Sequence, residues 1–151
     1  EFAAEQLAAE GQETAARQAH AAYFLSLAEQ EELAHFLPDG ERRLDGLETE
    51  FANMRAALTW WETTGQFAHR LTHAAALGGF WYARVHVREG KAWLTRALDD
   101  QDLSPSPERA RALVWLSLIE FLRGEMTDTA RFFEQPSDPR TAAFVRGDMV
   151  Y

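Results

Sequence analysis

The chain has no cysteine, and a single isoleucine, Ile119, among its 151 residues. The first absence excludes disulfides, thiolate nucleophiles and cysteine-ligated metal, and fits a reducing compartment. The second, set against 26 alanines, leaves little β-branched material for strands and much of the best helix former, so the expected fold class is all-α. Also missing is any apolar run near the roughly 18 residues that cross a bilayer, and the N-terminus lacks a basic-then-apolar signal pattern. These absences lead us to expect a cytoplasmic chain without a membrane partner. A dense positive field is lacking too: the net charge is -9, and residues 1–50 alone hold 12 acidic against 3 basic side chains. Residues 51–100 hold 4 and 6, and residues 101–151 hold 8 and 6. Phosphate neutralisation needs concentrated Lys and Arg, so a direct nucleic-acid partner is not expected. No G-x-x-x-x-G-K-[ST] loop is present, and nucleotide binding is not assigned to these residues.

What is present is a succession of helix-period segments. Punctuation falls at Gly11, Pro38-Asp39-Gly40, Thr64-Gly65, Asp102 to Pro107, Gly124, and Pro136 to Pro139. Between these breaks the spacing predicts helices at 12–36, 41–63, 66–84, 88–100, 107–123 and 127–135. Leu44, Leu47, Phe51, Met54, Leu58 and Trp61 recur at spacings of three and four, which makes a packing seam. Phe67, Leu71, Ala74, Leu77 and Trp81 form a second stripe, and Trp93, Leu94, Ala97 and Leu98 a third. The helix from Pro107 is apolar on two sides, through Leu113 and Leu116 and through Val114, Leu118 and Phe121, and therefore needs neighbours on both. Ser106 is placed to cap its free amides, and Pro107 suits the first helical position.

Two segments repeat one pattern at an offset of 39 residues, compared with a tetratricopeptide period of ~34. Leu77 and Gly78 superpose on Leu116 and Ser117, Val85 on the turn residue Gly124, and Gly90 on Thr129. Small residues at such positions let paired helices approach. The expected architecture is a tetratricopeptide-like α-α superhelix, a right-handed solenoid of helical hairpins, in one domain over 1–151. Within it, 1–11 reads as the tail of a preceding segment and 12–64 as a long hairpin. Stretches 66–100 and 107–135 read as repeats, and 139–151 as the start of a further helix. The chain begins inside a helical pattern and stops just after the turn signal at Gly147, so a fragment of a larger protein is expected.

The runs RQAHAAYFLSLAEQEE, LETEFANMRAALTWWETTG and LTHAAALGGFWYARVHVREGKAWLTRALDD carry a resemblance. Through His20, Tyr23 and Phe24, through Glu48, Glu50, Asn53, Arg55, Ala57 and Leu58, and through Trp81, Tyr82, Gly90, Trp93, Leu94 and Ala97, residues 1–135 resemble one family region. It is the helical region after the ATPase core in bacterial STAND-type transcriptional regulators, the NB-ARC-containing LuxR and antibiotic-regulator kind. The resemblance implies a non-catalytic sensor or protein-interaction module of a signal-transducing ATPase. Its partner would be a protein, a peptide, other domains of the parent chain or a small-molecule inducer. Residues 136–151 do not follow the family pattern.

By analogy with tetratricopeptide units, the first helix of each repeat lines a partner-binding groove, here Thr72, Ala75, Gly79 and Tyr82 with Arg111, Val114, Leu118 and Phe121. Tyr82 and Phe121 are the expected anchors, and Arg111 can take a carboxylate. Packing of these side chains against a neighbouring helix is the competing account. His69 and His73 are four apart and suggest a metal pair, and with it a metal-dependent enzyme, but Arg70 stands where a catalytic glutamate would follow the first histidine. We therefore expect no catalytic residues, no metal and no cofactor. His20 and His86 have no serine or carboxylate at a workable sequence spacing and read as structural. Glu29, Glu31 and Glu32 read as a solvated face, and Trp60, Trp61, Phe80, Trp81, Tyr82 and Trp93 as core aromatics first. A stand-alone scaffold or homo-oligomer is the alternative from a different class, since end repeats without caps expose apolar faces.

Overall fold

A computed structural model describes residues 2–99 and 104–122 of the chain. Among the described residues all regular structure is helical: α1 (Phe2–Glu31), a 3-10 turn (Ala34–Phe36), α2 (Gly40–Thr49), α3 (Phe51–Thr63), α4 (Phe67–Ala83), α5 (Val87–Leu98) and α6 (Pro107–Leu122). The helix predicted at 127–135, the start at 139 and the repeat positions Gly124 and Thr129 lie outside the described residues.

Two predicted boundaries are corrected. Gly11 does not end a helix, because α1 runs through it. An exposed glycine inside a helix costs only about 1 kcal/mol relative to alanine, less than breaking the backbone ladder. Conversely, the helix predicted over 41–63 is two helices, parted where Glu50 leaves helical geometry at φ -92 and ψ 6. The seam survives this break: Leu44 and Leu47 on α2 and Phe51, Met54, Leu58 and Trp61 on α3 are all buried.

The centre of the molecule is α4, which packs against α1, α3, α5 and α6. From Arg70 to Trp81 every residue except Thr72 is buried. Its Ala-Ala-Ala-Leu-Gly-Gly run explains how so many neighbours fit. A Cβ on Gly78 would lie 2.2 Å from Cγ of Trp115, so this glycine lets α6 seat its indole directly on the α4 backbone. On α5, a Cβ on Gly90 would meet both Ile119 and Trp81 at 2.9 Å. The small positions picked out by the repeat pattern, Gly78 and Gly90, are therefore points of close helix approach.

The α3–α4 and α4–α5 turns share one geometry. The Gln66 amide donates to the Trp61 carbonyl at 2.8 Å, and the His86 amide to the Trp81 carbonyl at 2.9 Å, which closes the two helix ends in the same way. Each turn contains one left-handed residue, Gly65 at φ +69 and Val85 at φ +59. Glycine takes that conformation freely, whereas a β-branched side chain is strained there. The α6 start follows the sequence reading: the Arg109 amide donates to Ser106 Oγ at 3.1 Å, with Pro107 opening the helix.

Candidate functional site

After α1 ends, residues 32–37 fold back over α4. Gly79 permits this, since a Cβ there would lie 2.7 Å from His35 Cε1 and 3.0 Å from the Glu32 carbonyl oxygen. The His35 ring then sits 5.4 Å from the Trp115 indole, and the Tyr82 ring lies 6.1 Å from the same indole. The Arg111 guanidinium closes the junction by donating to the Glu32 carboxylate, 79 residues away in sequence. From this polar seam Arg111, Val114, Leu118 and Phe121 continue along one stripe of α6, at spacings of three, four and three. Their apolar members are exposed, Phe121 to 61%, and the folded-back segment adds Leu33, Leu37 and Phe36, the last 72% exposed.

The electrostatics of the junction follow from partial burial. Burial raises the Glu32 carboxyl above its ordinary range, Arg111 pulls it back down, and Glu29 pushes it up again. Burial also lowers His35, which favours its neutral form. Two polar atoms here, His35 Nδ1 and Arg111 Nε, are shut from solvent with no hydrogen-bond partner among the described residues, and each such group carries a desolvation cost. The arrangement offers exposed apolar side chains around an oriented ion pair, which suits recognition of a partner surface.

The predicted groove residues divide. The structure sets Tyr82 6.1 Å from the Trp115 ring and pairs Arg111 with Glu32, while Val114, Leu118 and Phe121 are exposed on α6, away from its buried face of Ala112, Trp115 and Ile119. Thr72 is half-buried and donates its hydroxyl to the Ala68 carbonyl at 3.0 Å. Ala75 is fully buried, and Gly79 is covered by the His35 segment, so neither lines an open groove. Glu32, Leu33, His35 and Phe36 belong to the site and were not anticipated. The apolar run Leu33 to Leu37 just before Pro38 was the available signal. The Glu29, Glu31 and Glu32 cluster is not simply a solvated face, because Glu31 bonds Arg43 at 2.9 Å and Glu32 bonds Arg111.

The histidines read differently in three dimensions. His69 stacks on the Trp61 indole at 4.8 Å, while His73, at 0% exposure, accepts the Trp61 Nε1 proton at its Nδ1, 3.3 Å away. The two imidazoles thus both engage the Trp61 indole. Among the described residues no group of three or more His, Cys, Asp or Glu side chains converges as a metal site. His86 meets the Glu48 carboxylate at 3.0 Å, a partner 38 residues distant that no local spacing reveals. His20 meets Asn53 at 3.4 Å. Of the aromatics, Trp61, Phe80, Trp81 and Trp93 are core, and Trp60 and Tyr82 are half-buried. No helix among the described residues is long and apolar enough to cross a membrane.

No family model matches the chain, and no solved structure matches it significantly. The chain is similar to proteins of Mycobacterium tuberculosis and Mycobacterium bovis that are named provisionally as HTH-type transcriptional regulators, at 37% identity over 79 residues. The match covers 50% of this chain and 9% of each relative. The names imply DNA binding by those relatives and overturn the expectation that excluded a direct nucleic-acid partner. That expectation rested on the charge of 151 residues, and because the matched stretch is 9% of each relative, its charge is no measure of what those whole proteins bind.

Proposed function

We propose that this chain is the helical interaction or sensor module of a bacterial transcriptional regulator that acts on DNA. In this reading the module has no reaction centre of its own. The observation that carries it is the exposed apolar surface of Phe36, Val114, Leu118 and Phe121 beside the Glu32–Arg111 pair, on a chain similar to named regulators. The packing of α4 between α1, α3, α5 and α6 supports the finer reading of stacked tetratricopeptide-like hairpins in a row. The resemblance to STAND-type regulators adds an ATPase core elsewhere in the parent chain, held in check by this module until a protein or inducer binds.

The test uses a parent regulator that contains the chain. Changing Phe36, Val114 and Phe121 together to serine should abolish induced transcription without lowering the thermal stability of the purified protein, because all three are exposed. Normal induction by the triple variant would refute the assignment. The same face of α6 also suits self-association, and that second reading predicts a concentration-dependent mass by sedimentation that the triple variant loses.

A further inference from the structure

A second surface shares no residue with that patch. Helix α1 has 30 residues, about 45 Å at 1.5 Å per residue, while its partner α3 has 13. Among the described side chains of α1, which start at Glu10, burial begins at Ala21 and continues with Phe24, Leu25 and Ala28, while residues 10–17 are exposed. A helical stretch as short as residues 10–17 gains little from its own backbone ladder in water, so an apolar partner along this overhang would stabilise it.

Where the overhang meets α3 there is a groove of about 650 Å³. Its two walls, Glu13, Ala16, Arg17 and His20 against Ala56, Thr59, Trp60 and Thr63, have the same spacing of three, one and three, so each helix presents one continuous face. Two parallel helix faces with small side chains between them are the shape that receives a third helix. Trp60 is already held in place, because its Nε1 donates to Gln18 Oε1 at 2.9 Å and Gln66 donates to the same oxygen at 2.8 Å. An oriented indole loses little freedom on binding and makes a good anchor.

Charge selects the occupant. The first 17 residues hold four glutamates and one arginine. At the mouth of the groove Arg17 is occupied by Glu13, which leaves Glu10 beside them in surplus. The same helix of a second copy would bring four more glutamates and be repelled. We infer that this groove receives a basic amphipathic helix of a partner protein, with small apolar residues against Ala16, Ala56 and Trp60 and with Lys or Arg beside Glu10 and Glu13.

The probe is a synthetic helix of about 18 residues with Ala and Leu on one face and Lys on the other, paired with an otherwise identical peptide in which Glu replaces Lys. Calorimetric titration of the chain at low salt should show binding of the Lys peptide and none of the Glu peptide. Thr59→Arg should weaken it by about tenfold or more, while Phe121→Ser leaves it unchanged. Thr59 is exposed, and a helical circular dichroism spectrum matching the parent will show that the variant is folded. Equal binding of both peptides, no binding of either, or undiminished binding by Thr59→Arg overturns the inference. So does a chain dimer, detected by sedimentation, that Thr59→Arg dissociates. The Phe121→Ser arm separates failure here from failure of the α6 patch.

Discussion

Replacing Gly78 by alanine should destabilise the chain, whereas the same change at Gly46 should stabilise it. Both glycines lie within helices, so backbone propensity favours alanine at each by about 0.5–1 kcal/mol. At Gly46 a Cβ meets nothing within 4 Å, and the full gain should appear. At Gly78 the Cβ would lie 2.2 Å from Cγ, 2.3 Å from Cδ1 and 2.6 Å from Cβ of Trp115. Carbon atoms rest about 3.5–4.0 Å apart, so more than ~1 Å of separation must open. Rotation of the ring does not clear the clash, since Trp115 Cβ is held by the α6 backbone. Overpacking of this kind costs about 1–3 kcal/mol, with the upper end expected where helices must part. After the propensity gain, Gly78→Ala should be about 2 kcal/mol less stable than the parent, and roughly 3 kcal/mol less stable than Gly46→Ala. Urea unfolding followed by circular dichroism reads both. If Gly78→Ala proves as stable as the parent or more so, α6 does not sit on α4 as described, and the surface built from α6 loses its foundation.

The other predictions concern Val85 and His73. Val85→Gly relieves a left-handed β-branched residue in an exposed turn and should raise stability by about 1 kcal/mol after glycine's extra unfolded-state entropy is deducted. An unchanged or lower unfolding midpoint counts against strain at this turn. Burial pushes His73 down to about 3 from 6.5, so below pH 6.5 the unfolded chain takes up a proton that the folded chain refuses. Stability therefore falls as pH drops from 6.5 towards 3, by about 1.4 kcal/mol per unit, or about 2 kcal/mol by pH 5. In His73→Gln, whose amide oxygen can still accept the Trp61 proton, the loss between pH 7 and 5 should shrink by that amount, with His35 leaving a residual slope of the same sign. Identical acid profiles for parent and variant would show that His73 is protonated as readily in the folded state as in the unfolded one.

The candidate site was legible only along α6. Arg111, Val114, Leu118 and Phe121 share a stripe because a helix repeats every 3.6 residues, and that periodicity is written in the sequence. Analogy with tetratricopeptide units placed Thr72, Ala75, Gly79 and Tyr82 on one face of α4, but it could not say what covers that face. The cover over Gly79 is the His35 segment, more than forty residues upstream. The pairs Glu32–Arg111, His86–Glu48 and Arg55–Glu89 are equally remote in sequence, and charge patterning within a helix carries no trace of them.

Local chemistry alone decided that this chain is helical, where α6 starts, and which sides of α2 to α5 are apolar, whereas the buried face of α6, Ala112, Trp115 and Ile119, was not among the sides its periodicity marked. Ser106-Pro107, Gly65 and the spacing of Leu44 through Trp61 act within a few residues of themselves, and their energies are the same wherever the segment sits. Tertiary structure decided what those apolar sides meet. It made α4 the buried centre, turned Gly78 into the seat of Trp115, and left Phe36 and Phe121 exposed among the described residues. Such choices depend on close packing between segments far apart in the chain, where one Cβ or one folded-back turn determines whether a face is buried or open.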